Sequence, residues 1–293
     1  MPVPRSARRT LLALPVGASA DVGECADRRR PAATRGDPTV LALPAPADTV
    51  RAPMGRSVAL FATCLGDQLW PEVVHATVAV LERAGCTVTF DPRQTCCGQP
   101  AFNSGFQNDA RSVARHFVEV FECAEAIVAP SGSCVAMVHR YPELFRDEPA
   151  WRARAEHVAH RTFELSAFLV REAKVTDVGA RLSARVAWHD ACHGLRELGL
   201  KDEPRALLRA VHGLQLVELR TGEACCGFGG TFSVKFPELS TAMLDHKLTA
   251  LDADRVDVLS AVDSSCLMQL RGRLQRQGSR VRVMHLAEIL AAR

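Results

Sequence analysis

Short apolar runs alternate with amphipathic stretches along most of the chain. Residues 57–63 (SVALFAT) are almost continuously apolar, which is typical of a parallel strand that is buried on both faces. Residues 71–84 then place apolar side chains at helical spacing and stop before Gly85, a common signal for the end of a helix. Further strands are predicted at 87–90, 126–129, 185–188, 216–219 and 256–261, and further helices at 109–121, 204–210, 237–251 and 267–277. This alternation predicts an α/β protein with mostly parallel sheets and flanking helices.

The order of these elements occurs twice, which predicts two pseudo-symmetric repeats. We expect the first repeat to span residues 56–150 and the second to span residues 184–293. Residues 151–183 would connect them, with one long amphipathic helix from Trp151 to Glu172 packed across both repeats. A chain of 293 residues is long enough to give each repeat a core of ordinary size.

Residues 1–55 differ from the rest of the chain because they are rich in Pro, Ala and Arg and lack sustained periodicity. We predict a disordered N-terminal extension, or a start codon assigned too early with Met54 as the true first residue. The alternative is a twin-arginine signal in residues 1–20, where Arg8 and Arg9 precede a short apolar run and small residues. The extension is the favoured interpretation, and with it a cytoplasmic location.

The charge and hydropathy of the chain disfavour two classes of partner. Residues 1–55 hold eight Arg and five acidic residues, so they account for the whole formal charge of +3. The remaining residues are electrically balanced and lack the excess of basic residues that a nucleic-acid-binding face requires. No apolar run reaches the roughly 18 residues that a membrane-spanning helix needs. We therefore expect neither nucleic-acid binding nor a membrane span.

Eight of the eleven cysteines form a duplicated pattern. In each repeat a single cysteine is separated by 31 or 32 residues from a Cys-Cys-Gly, and a further 36 or 39 residues separate the pair from a last cysteine. The first set is Cys64, Cys96, Cys97 and Cys134, and the second set is Cys192, Cys225, Cys226 and Cys266. Each member follows a predicted strand, and ligands bind at the carboxyl ends of parallel strands. We therefore expect the four thiols of each set to converge.

Thiolates that are grouped by the fold rather than by short local motifs indicate iron–sulfur ligation. The glycine-rich stretches 94–105 and 224–233 would let backbone N–H groups approach the sulfurs. Two alternatives stay open: zinc sites, which usually use short Cys-x-x-Cys motifs that are absent here, and redox-active vicinal disulfides. The chain has no P-loop and no G-x-G-x-x-G after a strand, so we expect no flavin or nicotinamide site of its own.

Three residues near the second set are candidates for catalysis. His189 and His193 bracket Cys192 and are candidates for iron ligation or proton transfer, and Asp190 is a candidate to orient either ring. Arg196 is a candidate to face an anionic substrate. For each of them a structural role is the favoured alternative.

Six stretches of this sequence resemble one protein family. They are FATCLGDQLWPEV, TCCGQPAFNSG, APSGSC, WHDACHGLRELG, CCGFGGTFSVKFPE and DSSCLMQLRGRLQRQG. They are similar to the cysteine-rich (CCG) domain proteins, which include the cysteine-rich subunit of heterodisulfide reductase and the iron–sulfur subunits of glycolate and glycerol-3-phosphate oxidation. The similarity is closer still to the lactate utilization protein A family, and it covers about residues 56–293. It implies two CCG repeats that bind one or two iron–sulfur clusters, of the [4Fe-4S] type, through the eight cysteines of the two sets.

The resemblance also implies a role in oxidising L-lactate to pyruvate. The chain would be the iron–sulfur subunit of a complex, together with a ferredoxin-like iron–sulfur subunit and a small third subunit, and would be inactive alone. Three alternatives stay open. The chain could serve another hydroxy-acid (glycolate-type) oxidase, act as a heterodisulfide-reductase-like thiol–disulfide redox protein, or be a zinc-binding scaffold without redox activity.

The sequence departs from the heterodisulfide reductase pattern at two positions. There the last cysteine of each repeat belongs to a Cys-x-x-Cys, whereas Ser131 and Asp263 stand at the first of these positions here. Two kinds of cluster are therefore equally expected here: the unusual clusters of that relative and a simpler cluster held by four thiolates. Ser131 and Asp263 would serve either as oxygen ligands or as helix caps. Of the cysteines outside the pattern, Cys86 and Cys123 are expected to be buried, and Cys25 lies in the extension.

Overall fold

The computed structural model describes residues 55–251 and 255–293. Within them each half of the chain forms a four-stranded sheet in which all neighbouring strands are parallel. The strands are β1 (Ser57–Leu60), β2 (Thr87–Thr89), β3 (Ala126–Ala129) and β4 (Thr162–Glu164) in the first half, and β5 (Arg181–Trp188), β6 (His212–Glu218), β7 (Val258–Ala261) and β8 (Arg282–His285) in the second. Their spatial orders, β2-β1-β3-β4 and β6-β5-β7-β8, give the two sheets the same topology.

Helices connect the strands in both halves. The first half contains α1 (Cys64–Leu69), α2 (Pro71–Arg83), α3 (Gln99–Asn103), α4 (Gln107–Phe121), α5 (Gly132–His139), α6 (Tyr141–Leu144), α7 (Pro149–Ala159) and α8 (Leu165–Ala167), which continues as a π-helical turn (Phe168–Glu172). The second half contains α9 (Cys192–Glu197), α10 (Asp202–Ala210), α11 (Phe232–Lys235), α12 (Pro237–Leu248), α13 (Ser264–Arg276) and α14 (Leu286–Ala291). β3 and β7 are buried at every position, as parallel strands covered on both faces are.

The two halves meet about a pseudo-two-fold axis. Ser131 and Asp263, each three residues before the last cysteine of its set, pair with each other in an isolated antiparallel bridge. A contact between equivalent residues is what two-fold symmetry produces. The Arg83 guanidinium at the end of α2 also donates to the backbone oxygens of Leu290 (3.1 Å) and Ala291 (2.7 Å) in α14. Because one apolar core contains residues of both halves, the halves form a single packed unit.

The predicted α/β class with two pseudo-symmetric repeats is confirmed. β3 has the predicted bounds, and α2 ends one residue earlier than predicted, at Arg83. The single connecting helix predicted from Trp151 to Glu172 is wrong, because α7 ends at Ala159 and the chain then forms β4. Thr162 and Phe163 favour a strand, and β4 gains a backbone partner by pairing with β3. The boundaries of the two repeats stay a prediction.

Other features of the fold differ from the sequence-based expectations. The pattern does not predict β8 or the helix α14 that follows it. β8 is an edge strand of the second sheet, as β4, which is followed by α8, is an edge strand of the first. Cys86 is half-buried, and Cys123 is exposed rather than buried. Residues 1–54, with the predicted extension and the alternative signal, lie outside the described residues. In the part of the chain that the structure describes, no helix has the length and apolar character needed to cross a membrane.

Candidate functional site

The four cysteines of the first set lie together at the carboxyl edge of the first sheet. Cys64 is the first residue of α1, Cys134 lies in the first turn of α5, and the adjacent Cys96 and Cys97 lie in the loop after β2. The Cys64 thiol donates to the Cys96 sulfur over 3.6 Å, and Cys97 hydrogen-bonds to both Cys96 and Cys134. The four sulfurs therefore form a continuous hydrogen-bonded series.

The second set repeats this arrangement at the edge of the second sheet. Cys192 is the first residue of α9, Cys266 lies in the first turn of α13, and Cys225 and Cys226 lie in the loop after β6. Cys192 hydrogen-bonds to Cys225, and Cys226 hydrogen-bonds to Cys225 and Cys266. All eight cysteines of the two sets are free thiols. The structure thus brings together the members of each set in two equivalent groups.

The first cysteine of each adjacent pair is the most acidic thiol of its set. Hydrogen bonds from Cys64 and then Cys97 lower the pKa of Cys96 to about 3. Hydrogen bonds from Cys192 and Cys226 lower the pKa of Cys225 to about 2 in the same way. A thiolate, rather than a thiol, is the form of cysteine that binds a metal ion. Each set therefore holds one thiolate with thiol donors converging on it.

The glycine of each Cys-Cys-Gly motif turns the backbone toward this thiolate. Gly98 has φ 83° and Gly227 has φ 80°, in the left-handed region that favours glycine. As a result the Gly98 N–H donates to the Cys96 sulfur and the Gly227 N–H donates to the Cys225 sulfur, each over 3.4 Å. A Cβ on Gly227 would overlap the backbone oxygen of Ser240. The motif therefore needs glycine, because the positive φ that directs this N–H at the sulfur is unfavourable for residues with a side chain.

Aromatic side chains pack beside the first set. Phe61 is fully buried, and its ring centroid lies 4.9 Å from that of Phe117 and 5.9 Å from that of Phe121. The buried Tyr141 donates its hydroxyl to the backbone oxygen of Cys97 over 2.8 Å. Because Phe61, Cys97 and Tyr141 share one apolar cluster, these rings exclude water from that side of the sulfurs.

Polar side chains pack beside the second set. His189 occupies the position equivalent to Phe61, three residues before the first cysteine of its set, and is 1% exposed. Its Nδ1 lies 3.3 Å from the backbone oxygen of Gly222, which only accepts, so Nδ1 carries the proton. Burial, and then the charge of Lys247, lower the pKa of His189 to about 3. This histidine is therefore neutral, with the lone pair on Nε2.

Lys247 is a buried cation beside the second set. It lies on α12 with its ammonium group donating to the backbone oxygens of Thr221 (2.7 Å) and Gly222 (3.0 Å). Burial lowers its pKa to about 8, which still leaves it mostly protonated at neutral pH. Charge on Cys226 and Cys266 acts on it in the opposite direction. The second set therefore has a fixed positive charge that faces its thiols.

The predicted role of Asp190 in orienting a histidine is wrong. Its carboxylate accepts from the Trp188 indole N–H (2.9 Å) and from two guanidinium nitrogens of Arg205 (2.8 Å each). Arg205 also binds Glu218. This buried cluster ties α10 to β5 and β6, and it forms one wall of a surface cavity of about 480 Å³ beside the Cys225 loop.

His193 lies between the two sets. Its Nδ1 is 3.5 Å from the Cys192 sulfur, and its Nε2 is 3.4 Å from the side-chain nitrogen of Gln99. That Gln99 nitrogen also donates to the backbone oxygen of Ser133 over 3.3 Å, one residue before Cys134. A row of hydrogen bonds therefore joins Cys192 to the first turn of α5, which carries Cys134. Arg196, the third candidate of this region, is exposed on α9.

Ser131 and Asp263 form part of the contact between the halves. The Ser131 hydroxyl accepts from the Cys134 N–H over 3.2 Å and so caps α5. The Asp263 carboxylate accepts from the Ser133 N–H (2.7 Å), from the Ser133 hydroxyl (3.1 Å) and from the Ser265 hydroxyl (2.9 Å). These oxygens already have partners, so Ser131 caps α5, whereas Asp263 makes no side-chain cap to α13 and instead binds the first turn of α5 across the contact between the halves.

Sequence analysis does not identify Lys247, Tyr141 or Gln94. The signal for Lys247 is a lysine on the apolar stripe of α12, one residue before the buried Leu248. Gln94 holds the first cysteine pair near β1, because its side chain accepts from the Ala62 N–H (2.8 Å) and donates to the Leu60 oxygen (3.0 Å). Only the position of Gln94, two residues before the pair, distinguishes it in the sequence.

Comparison with known proteins agrees with this duplicated architecture. Residues 58–139 and 186–271 each match the cysteine-rich domain family, CCG. The chain is 51% identical over 236 residues to lactate utilization protein A of Exiguobacterium sp., and the match covers 80% of this chain and 96% of that relative. The corresponding proteins of Halalkalibacterium halodurans (51% over 233 residues; 80% and 96% covered) and Bacillus cytotoxicus (49% over 236 residues; 80% and 99% covered) are similarly related. The chain therefore belongs to the lactate utilization protein A family of cysteine-rich domain proteins.

Proposed function

We propose that this chain carries electrons on cysteine-bound iron–sulfur clusters as one subunit of a system that oxidises L-lactate to pyruvate. The observation that supports this most directly is the presence of two equivalent sets of four converging thiols. We infer the substrate, L-lactate, from the name of the relatives, lactate utilization protein A. The proposal assigns one cluster to each set.

The donor atoms of both sets fit this cofactor. Thiolates are soft ligands of the kind that iron–sulfur clusters use, and each set presents four cysteine sulfurs that could supply them from three separate segments of the chain. The sets are half-buried or buried, as a cluster that must be shielded from water requires. Gly98 and Gly227 already direct amide N–H groups at sulfur, which is how proteins adjust such sites.

The chain's own residues would set the properties of each site. An iron–sulfur cluster, when bound, accepts and releases single electrons. The rings of Phe61 and Tyr141 keep water from the first set, and Lys247 places a positive charge beside the second. His193 and Gln99 hold the two sets in a fixed relation. These features suit an electron carrier with two cluster sites in different surroundings.

The reaction itself needs more than this chain. Oxidation of L-lactate to pyruvate releases two electrons and two protons, and a cofactor normally carries such a step. Two cluster sites would take one electron each and pass them on. We therefore propose that the chain works with a ferredoxin-like iron–sulfur subunit and a small third subunit, and that it is inactive alone.

Growth of a strain that lacks this gene tests the proposal. The strain should fail on L-lactate but grow on glycolate and glucose. The wild-type gene should restore growth on L-lactate, and genes carrying Cys97→Ser or Cys226→Ser should not, although the proteins accumulate to wild-type levels. Cys86→Ala is the matched control, because this half-buried cysteine lies outside both sets, and it should restore growth fully.

Each other outcome assigns a different function. If the deletion strain fails to grow on glycolate but still grows on L-lactate, the substrate of the system is another hydroxy acid and not lactate. Full complementation by both serine variants would show that neither set is needed for the activity. Purified protein that holds zinc and no iron would favour a scaffold over an electron carrier.

A further inference from the structure

The Nε2 atom of His189 is buried without a hydrogen-bond partner among the described residues. The imidazole lies among sulfurs, because a ring nitrogen of His189 and the Sγ atoms of Cys226 and Cys266 are all within 4.8 Å of one another. Burying a polar nitrogen without a partner is unfavourable. A partner that is absent from the polypeptide, and that the two sulfurs share, would remove this penalty.

The other ring nitrogen is arranged as it is in metal-binding histidines. Such a histidine usually donates its second N–H to a backbone carbonyl or a carboxylate, which fixes the ring and leaves the lone pair for the metal. His189 Nδ1 donates to the Gly222 oxygen over 3.3 Å. The same oxygen accepts from the Asp190 N–H (3.0 Å) and from Lys247 Nζ (3.0 Å), so it is itself held in place.

A second buried histidine shows that this arrangement is not a general property of buried rings. His285 Nε2 also has no hydrogen-bond partner of good geometry among the described residues. However, His285 Nδ1 accepts from the Ala287 N–H over 3.0 Å as the cap of α14. The proton of His285 is therefore on Nε2, which faces the backbone oxygens of Pro130 and Val262, and no lone pair is available there.

The first repeat supplies the contrast at the equivalent position. Phe61 occupies it with a fully buried hydrocarbon ring, so the fold of the repeat does not require a polar residue there. The second repeat nevertheless places an imidazole at this position, with Nδ1 held by the Gly222 oxygen. A histidine in place of phenylalanine therefore points to a function of the second set alone.

We propose that His189 Nε2 is an iron ligand of the second site, where it takes the place of one thiolate, whereas cysteines alone serve the first site. This inference rests on the proposed iron–sulfur function. A neutral imidazole in place of a negatively charged thiolate raises the reduction potential of an iron–sulfur centre. The second site then has the higher potential, and electrons within this chain collect there.

Pulsed EPR of the anaerobically purified full chain tests this ligand. The protein is prepared once with natural histidine and once with ¹⁵N-histidine, and the reduced second site is observed in Cys97→Ser, which lacks the first. We expect a strong nitrogen coupling that changes with the isotope. It should disappear in His189→Phe, which copies the first repeat, and remain in His246→Gln, which alters an exposed histidine one residue from Lys247.

A second variant keeps the test decisive if His189→Phe fails to fold. His189→Cys retains a ligand, so it should keep the iron, lose the nitrogen coupling and lower the midpoint potential of the second site. A second site that holds iron but shows no isotope-dependent coupling when His189 is present would overturn the inference and leave the proposed function intact. Absence of iron from both sets would overturn both.

Discussion

Three residues before the first cysteine of its set, the first repeat carries Phe61 and the second carries His189. The sulfur series, the Cys-Cys-Gly turns and the sheet topology are the same in both repeats. The surroundings differ, because aromatic rings pack beside the first set, while an imidazole and the Lys247 ammonium pack beside the second. Under the proposed function, the repeated backbone would determine where a cluster binds, whereas the residues around it would determine the properties of that cluster.

The largest expected effect on stability concerns substitution of the two motif glycines, whose neighbours differ between the repeats. A Cβ at Gly98 would lie 3.3 Å from the flexible Val113 side chain, whereas one at Gly227 would overlap the backbone of Ser240. A left-handed alanine costs about 1–2 kcal/mol, and overpacking adds about 1–3 kcal/mol. We expect Gly98→Ala to lose about 1–2 kcal/mol and Gly227→Ala about 2–5 kcal/mol of unfolding free energy, measured by chemical denaturation. Equal losses would contradict the assigned packing.

Glu164 and His285 end the equivalent strands β4 and β8 and cap the helices that follow. Burial raises the pKa of Glu164 from 4.5 to about 7. The native state therefore binds more protons than the unfolded state between these values, and its stability falls as the pH rises through this window. The loss should approach about 3 kcal/mol above pH 7.

Glu164→Gln should remove this loss, because an amide stays neutral and still accepts from the Ser166 and Ala167 N–H groups. Denaturation curves at pH 4 and pH 8 measure it: the variant should match the wild type at pH 4 and exceed it at pH 8. Burial lowers the pKa of His285 from 6.5 to about 4. This histidine therefore has the opposite effect, because stability rises as the pH rises between these two values. A variant that is equally stable relative to the wild type at both pH values would contradict the buried, protonated carboxyl.

Lys247→Met should affect the second site alone. The variant removes the Lys247 donor from the Thr221 and Gly222 oxygens, which costs about 1–3 kcal/mol of stability. Loss of the positive charge should also lower the midpoint potential of the second site and leave that of the first unchanged, as a redox titration followed by EPR would show. Equal shifts at both sites would mean that Lys247 acts on the whole molecule.

Tyr141→Phe is the smallest change and affects the first site. It removes one hydrogen bond to the Cys97 backbone oxygen, which contributes about 1 kcal/mol. We expect a drop of that size in unfolding free energy with the iron content unchanged. Loss of iron from the first site would show that this bond positions the cysteine pair rather than only stabilising the loop.

The sequence predicts the architecture and the cysteine sets well because both depend on spacing. Continuous apolar runs mark the central strands, and strand-to-helix junctions place cysteines at a common sheet edge. β4 and β8 are missed by this reasoning because each strand runs directly into the helix that follows it, with no turn residue to mark its end. The surroundings of the sets depend on tertiary contacts, so the roles of Tyr141 and Lys247 follow only from the fold.

His189 and His193 also show that tertiary contacts are not predicted from the sequence. Sequence proximity to Cys192 places His189 and His193 in one class, but the fold separates them. His189 is buried against Gly222 with an Nε2 that no described residue bonds, while His193 joins Cys192 to Gln99. The exchange of Phe61 for His189 can be seen only after the two repeats are aligned on their cysteines.

Metal and acid-labile sulfide analysis of the anaerobically purified full chain tests the central claim most directly. If each set holds a [4Fe-4S] cluster, the wild type should contain about eight iron atoms and a matching amount of sulfide per chain. Cys97→Ser and Cys226→Ser should each retain about half of both, and the two variants should lose different EPR signals. Zinc in place of iron, no metal after anaerobic reconstitution, or an iron content that neither variant lowers would contradict the account.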